Sequence, residues 1–140
     1  MMKLKSYSSI VLSLAGLILV GMGLYFIFIR SPLLPEDLSY MGITLQNTKA
    51  NVPGLLNWLQ KVFWIMGGYI FTTGLLTLFI AMTSFRTRMK SAFVIVTIAG
   101  LTSIGLMTSV NFIINSDFKW MLFVFTLLLL SALILYQIHK

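Results

Sequence analysis

The sequence predicts an all-α polytopic membrane fold: four transmembrane helices in one bundle, with both termini on the cytoplasmic side. Three observations carry that prediction. The chain is 59% hydrophobic and only 9% charged, whereas soluble domains average about 45–50% apolar and roughly 25% charged. A water-soluble domain of this size cannot hide so much apolar surface, because small folds bury a smaller share of their area. Four stretches, 6–29, 62–85, 91–116 and 120–139, lack Asp, Glu, Lys and Arg. Each reaches the ~20 residues that a helix needs to cross hydrocarbon about 30 Å thick. The cations collect at the ends of these stretches, where polytopic proteins keep them. Long runs without alternation, such as residues 123–130, exclude β-barrel strands, which alternate over about 10 residues.

The first span covers about 7–29. Lys3 and Lys5 give it a basic start, as in a signal peptide, but its apolar part is longer than the usual 7–15-residue h-region. Arg30-Ser-Pro-Leu-Leu offers no small-residue cleavage site, so a retained helix is expected. Ser6, Ser9, Ser13, Gly16 and Gly23 share one of its faces when it is wound at about 100° per residue.

The loop 30–53 follows. Ser31-Pro32 ends the first helix, and Pro35-Glu36-Asp37 has the form of a helical first turn, with Pro near N1 and acids where the helix dipole favours them. Gly42 is a stop signal. A further short turn is expected over 44–50, and Asn51-Val52-Pro53 predicts Asn51 as the N-cap of the next helix. Leu33, Leu34, Leu38, Tyr40, Met41 and Ile43 are too apolar for a free linker, so this loop should lie compactly on the membrane surface.

The second span covers about 54–84, its start outside the membrane. Gly67, Gly74 and Ala81 recur every seven residues, which keeps one seam towards a neighbouring helix. A basic loop, 85–91, carries Arg86, Arg88 and Lys90. The third span, about 92–115, has two faces of small and polar residues. One holds Thr102, Gly105 and Ser109, the other Thr97, Gly100, Thr108, Asn111 and Asn115. The fourth span, about 118–138, is dominated by Leu, Phe and Val. Helices in lipid associate through close packing and hydrogen bonds, so the third helix should be central and the fourth most exposed to lipid. All of this forms one domain, 1–140.

Orientation follows the cations. With the N-terminus inside, the cytoplasmic segments hold Lys3, Lys5, Arg86, Arg88, Lys90 and Lys140. The outer segments hold Arg30, Lys49, Lys61 and Lys119 with all three acids, Glu36, Asp37 and Asp117. The short loop with three cations and no acid is the tightest discriminator. Trp58, Trp64 and Trp120 then fall near the outer interface, which indole rings favour.

Leu34-Pro-Glu-Asp-Leu38 with Tyr40-Met-Gly42, Asn51-x-Pro53 before the second helix and Ser116-Asp-Phe-x-Trp120 before the fourth resemble a group of small bacterial four-helix integral membrane proteins of unassigned function. The resemblance covers most of the chain. It implies this topology and a multi-pass place in a bacterial inner membrane, and carries over no activity.

Catalytic chemistry finds little to work with. The chain has no cysteine, which excludes disulfides, thiolate metal sites and thiol redox chemistry. The net charge of +7 is spread over helix ends rather than one polar face, so nucleic acid is not the expected partner. Adjacent Glu36 and Asp37 point about 100° apart on a helix, which suits capping better than a shared acid–base or metal site. Asp117 can cap the fourth helix or pair with Lys119. His139, the one histidine, has no partners that would make it a base. No Asp, Glu, Lys, Arg or His lies centrally in any span, where proton-coupled pumps keep their relays. No cofactor and no metal is predicted. The expected function is that of a non-enzymatic accessory or structural component, acting in the lipid bilayer through contacts with itself or another membrane protein. The alternative is a passive channel or small-solute transporter subunit. In it the face of Thr97, Gly100, Thr108, Asn111 and Asn115 would line a path rather than pack.

Overall fold

A computed structural model describes the backbone of residues 2–138 and the side chains of residues 7–138. The side chains of Lys3, Lys5 and Ser6, and residues His139 and Lys140, lie outside the described residues. Among the described residues helices joined by short turns make up the chain, without a strand. Four helices are long and apolar enough to cross a membrane: Tyr7–Phe28, Leu55–Met82, Lys90–Ile113 and Lys119–Ile138.

Helix α1 (Met2–Phe28) stops where the amides of Ile29 and Arg30 both donate to the Tyr25 carbonyl, at 2.9 Å each. Leu34 is extended (ψ 160°), as a residue before proline must be, and α2 (Pro35–Met41) starts there. It ends on Gly42, whose φ of +67° is open to glycine at little cost. The Ile43 amide reaches back to the Leu38 carbonyl, 3.2 Å, closing the left-handed cap. Helix α3 (Leu45–Asn51) is capped by Thr44, whose hydroxyl accepts from the Asn47 amide at 3.2 Å.

Asn51 does not cap the second span, contrary to the sequence expectation. It is the last residue of α3, and Val52 turns out of the helix (φ −138°, ψ 75°) ahead of Pro53. Helix α4 (Leu55–Met82) begins after Gly54. Pro53 holds Val52 out of the helical region, and the next helix starts three residues later than an Asn51 cap would place it.

The third span is helix α5 (Lys90–Gly100), a π-helical turn (Leu101–Gly105) and helix α6 (Leu106–Ile113). Its buried residues are Ala92, Val96, Gly100, Ile104 and Thr108. They recur at strict four-residue spacing. In a 3.6-residue helix four such steps overshoot by about 160°. The extra residue of the π-turn recovers about 100° of this, and so keeps one stripe on the bundle. Helix α7 (Lys119–Ile138) forms the last span.

Helices α1 and α4 pack antiparallel through glycines. A Cβ on Gly23 would lie 2.5 Å from the Phe71 nitrogen, and one on Gly74 would lie 2.6 Å from the Val20 nitrogen. Gly16 and Gly67 are nearly as tight against Gly74 and Gly23. The seven-residue seam expected from the sequence is therefore a backbone-to-backbone contact. Helix α7 covers another side of α1 and holds the third span, with Leu129 seated on Gly100. A cavity of about 20 Å³ marks where the four spans meet, bounded by Ala15, Leu19, Thr77, Gly100, Ser103 and Leu129.

This arrangement corrects the expected order. Helix α1 is the central one, with 33% of its apolar stretch buried, against 17% for α4, 22% for the third span and 28% for α7. The small residues of α1 and α4 pair with each other, and this pairing leaves the third span at the side. The Leu-rich α7 fills the space between, since large side chains pack where helices do not touch backbone to backbone.

Candidate functional site

Two groups of side chains stand out: the polar face of the third span, and a cluster at the bundle end that carries α2 and α3.

Thr97 is half-buried and its hydroxyl donates to the Phe93 carbonyl at 2.8 Å. Gly100 is buried under Leu129. Thr108 is buried and its hydroxyl bridges to α7, 2.8 Å from the Thr126 hydroxyl and 3.1 Å from the Leu122 carbonyl. The Asn111 amide donates to the Met107 carbonyl at 2.9 Å. Asn115 sits past the end of α6 at φ +55°, where its side chain accepts from Lys119. Asn tolerates that left-handed turn better than most residues. The structure therefore brings Thr108 to α7 and leaves Asn111 and Asn115 at the end of the span, bonded locally. Asn111 bonds to a helix carbonyl and Asn115 to a lysine.

At the loop end, Pro35 is exposed at the start of α2, and the two acids behind it diverge. Asp37 Oδ2 accepts the Leu34 amide at 2.9 Å and the Arg30 guanidinium at 3.3 Å. Glu36 points the other way and accepts from the buried Ser116 hydroxyl at 3.1 Å, eighty residues along the chain. Arg30 lies over Phe63, its guanidinium carbon 3.5 Å from the ring centre. Burial pushes the Arg30 guanidinium below its ordinary pKa, and neighbouring Asp37 pulls it back. Gln60 also donates to the Arg30 carbonyl, 3.4 Å. The cluster ties the end of α1, the start of α2, the first turns of α4 and the α6–α7 turn together.

Two parts of this cluster were not expected. Ser116, not Asp117, caps α7, its hydroxyl accepting the Phe118 amide at 3.2 Å. Asp117 is exposed and forms no ion pair with Lys119. The left-handed turn at Asn115 aims the next residue, not the one after it, at the helix start. In the sequence Arg30 shows only its charge, and the fold sets it between Phe63 and Asp37. At the opposite end, Arg88 (φ +66°) donates to the Tyr136 carbonyl in the last turn of α7, with its guanidinium 4.5 Å from the Tyr136 ring. A cation there suits the helix dipole. Phe85 and Phe93 pack on the same ring.

Among the described residues no three His, Cys, Asp or Glu side chains converge as metal ligands. No protein-family model matches the chain, and comparisons with curated proteins and with solved structures found no match.

Proposed function

We propose that this chain is a non-enzymatic accessory or structural component of a bacterial inner membrane, acting through lateral contacts between helices. It lies N-in and C-in, so that Arg86, Arg88 and Lys90 face the cytoplasm. The observation that carries the reading is a stripe on α1. Tyr7, Ile10, Leu14, Leu17, Gly21, Leu24 and Phe28 are all exposed along this helix. Their spacing alternates three and four, the seam of left-handed helix pairing. The stripe lies on the most buried span, so a partner there touches the helix that α4 and α7 pack against. At Gly21 a Cβ would meet nothing within 4 Å, which leaves room for close approach by another helix. The carboxylates that catalysis would need support the reading too, since Glu36 and Asp37 are engaged in holding the loop. The polar-path alternative loses its main support, because Thr108 and Asn111 bond to neighbouring backbone.

Single cysteines at Leu14, Leu17 and Gly21, crosslinked in native membranes and analysed by mass spectrometry, test this. Adducts to one species, a second copy or another membrane protein, are expected on the stripe and not at Leu12 on the buried face. A chain that stays monomeric and unlinked at all three positions refutes it.

A further inference from the structure

We infer that the flank of the third span is an anionic-phospholipid site, with an acyl chain in a groove beside the π-turn and the headgroup's uncompensated phosphate charge on Lys119. The groove has a volume of about 690 Å³ and opens sideways between the third span and α7, with Leu101, Gly105, Leu106, Phe112, Phe123 and Thr126 along it. From Leu101 to Phe112 it runs about 17 Å along the helix at 1.5 Å per residue. Half of a hydrocarbon core about 30 Å thick is close to that, so the groove matches the depth of one leaflet.

The polar groups along it ask nothing of an occupant. Thr102 donates to the Ile98 carbonyl at 2.8 Å, Ser109 to the Gly105 carbonyl at 3.0 Å, and Thr108 and Thr126 bond each other and the Leu122 carbonyl. A hydrocarbon chain lying there leaves none of these donors unpaired.

Charge sets which chain enters. Lys119 stands four residues before Phe123 and seven before Thr126, on the same stripe of α7 that lines the groove. It donates to Asn115 and has no carboxylate within ion-pairing distance among the described residues, which leaves ammonium protons for a phosphate. Trp120 stacks edge-on against Phe112 and Phe123 at 5.3 and 6.3 Å. It thus stands beside two residues of the groove wall, with an indole that favours the headgroup level. A cation on the α7 stripe that borders an open, leaflet-deep apolar groove matches one phospholipid of the leaflet on the α2–α3 side.

The test uses the full chain with Trp58 and Trp64 replaced by Phe, so that Trp120 is the one fluorophore, in phosphatidylcholine vesicles. A small fraction of brominated-chain phosphatidylglycerol is added, or the same fraction of brominated phosphatidylcholine. The anionic lipid should quench Trp120 about 1.5- to fivefold more effectively, the range that one partly exposed charge contact supplies. Lys119→Gln should erase that preference. Gly105→Leu should lower quenching by both lipids, and its side chain can enter the groove without a backbone clash, the nearest atoms to a Cβ being 3.6 and 3.8 Å away. A variant with Trp58 alone should show no preference. Equal quenching by both lipids, or no response to Gly105→Leu, overturns the site. So does efficient disulfide linkage of two copies through Ser109→Cys in native membranes, which would put a helix where the lipid is placed.

Discussion

Gly23→Ala should loosen the α1–α4 pair by a predictable amount. The new methyl carbon would stand 2.5 Å from the Phe71 nitrogen and 2.6 Å from its Cα. Ordinary contact begins at 3.4 Å, so the helices must part by about 0.9 Å (3.4 − 2.5). Backbone atoms cannot swing aside as a side-chain tip can. Overpacking of this kind costs about 1–3 kcal/mol. Alanine returns about 0.5–1 kcal/mol through its better helix propensity, which leaves a net loss of about 0–2.5 kcal/mol, and of about 1–3 kcal/mol relative to Gly21→Ala, which gains the same propensity. Gly21→Ala is the control, since a Cβ there meets nothing within 4 Å, and it should be neutral or mildly stabilising. SDS titration of the detergent-solubilised protein, followed by tryptophan fluorescence and circular dichroism, reports both midpoints. Pairing Gly23→Ala with Gly67→Ala should cost less than the two separate losses added, because one separation relieves both clashes. Equal behaviour of Gly23→Ala and Gly21→Ala would refute the backbone-contact account.

Other predictions concern the ends of the bundle and the α6–α7 joint. Ser116→Ala removes both the Glu36 contact and the cap of α7 and should cost about 1–2 kcal/mol in the same titration. Glu36→Gln should cost less, because its amide oxygen still accepts. Arg30→Leu strands Asp37 and should cost about 1.5–3 kcal/mol; Arg30→Lys should recover little of it, since an ammonium cannot lie flat on Phe63. A double-mutant cycle of Thr108→Val with Thr126→Val should give a coupling near ~0.6 kcal/mol, the usual size inside a bilayer. A cysteine at Thr87 should react with an impermeant thiol reagent only after the membrane is opened, and one at Thr44 should react in intact cells; the reverse pattern would invert the topology.

The candidate site was only partly legible in the residues. Pro35, Glu36 and Asp37 announce a helix start, because the chemistry of a first turn is local. Their partners Arg30 and Ser116 do not announce themselves. Glu36 and Ser116 are eighty residues apart, and nothing in the spacing of either says that the two loops share one end. The third span shows the same boundary. Winding residues 97–115 at a fixed 100° puts Thr97 and Asn111 beside Gly100, whereas the π-turn brings Val96 and Ile104 inward with Gly100 and Thr108.

The sequence by itself determined that there are four helices, where their apolar stretches run, and which glycines form a seven-residue seam. Those features follow from the free energy of moving charges and amides into hydrocarbon, which is a property of each segment alone. Which seam meets which was decided only by tertiary packing. The glycines of α1 chose those of α4 because two backbones can touch there, and α1 rather than the third helix became the centre. Such a choice depends on the shapes of both partners at once, which no single segment records.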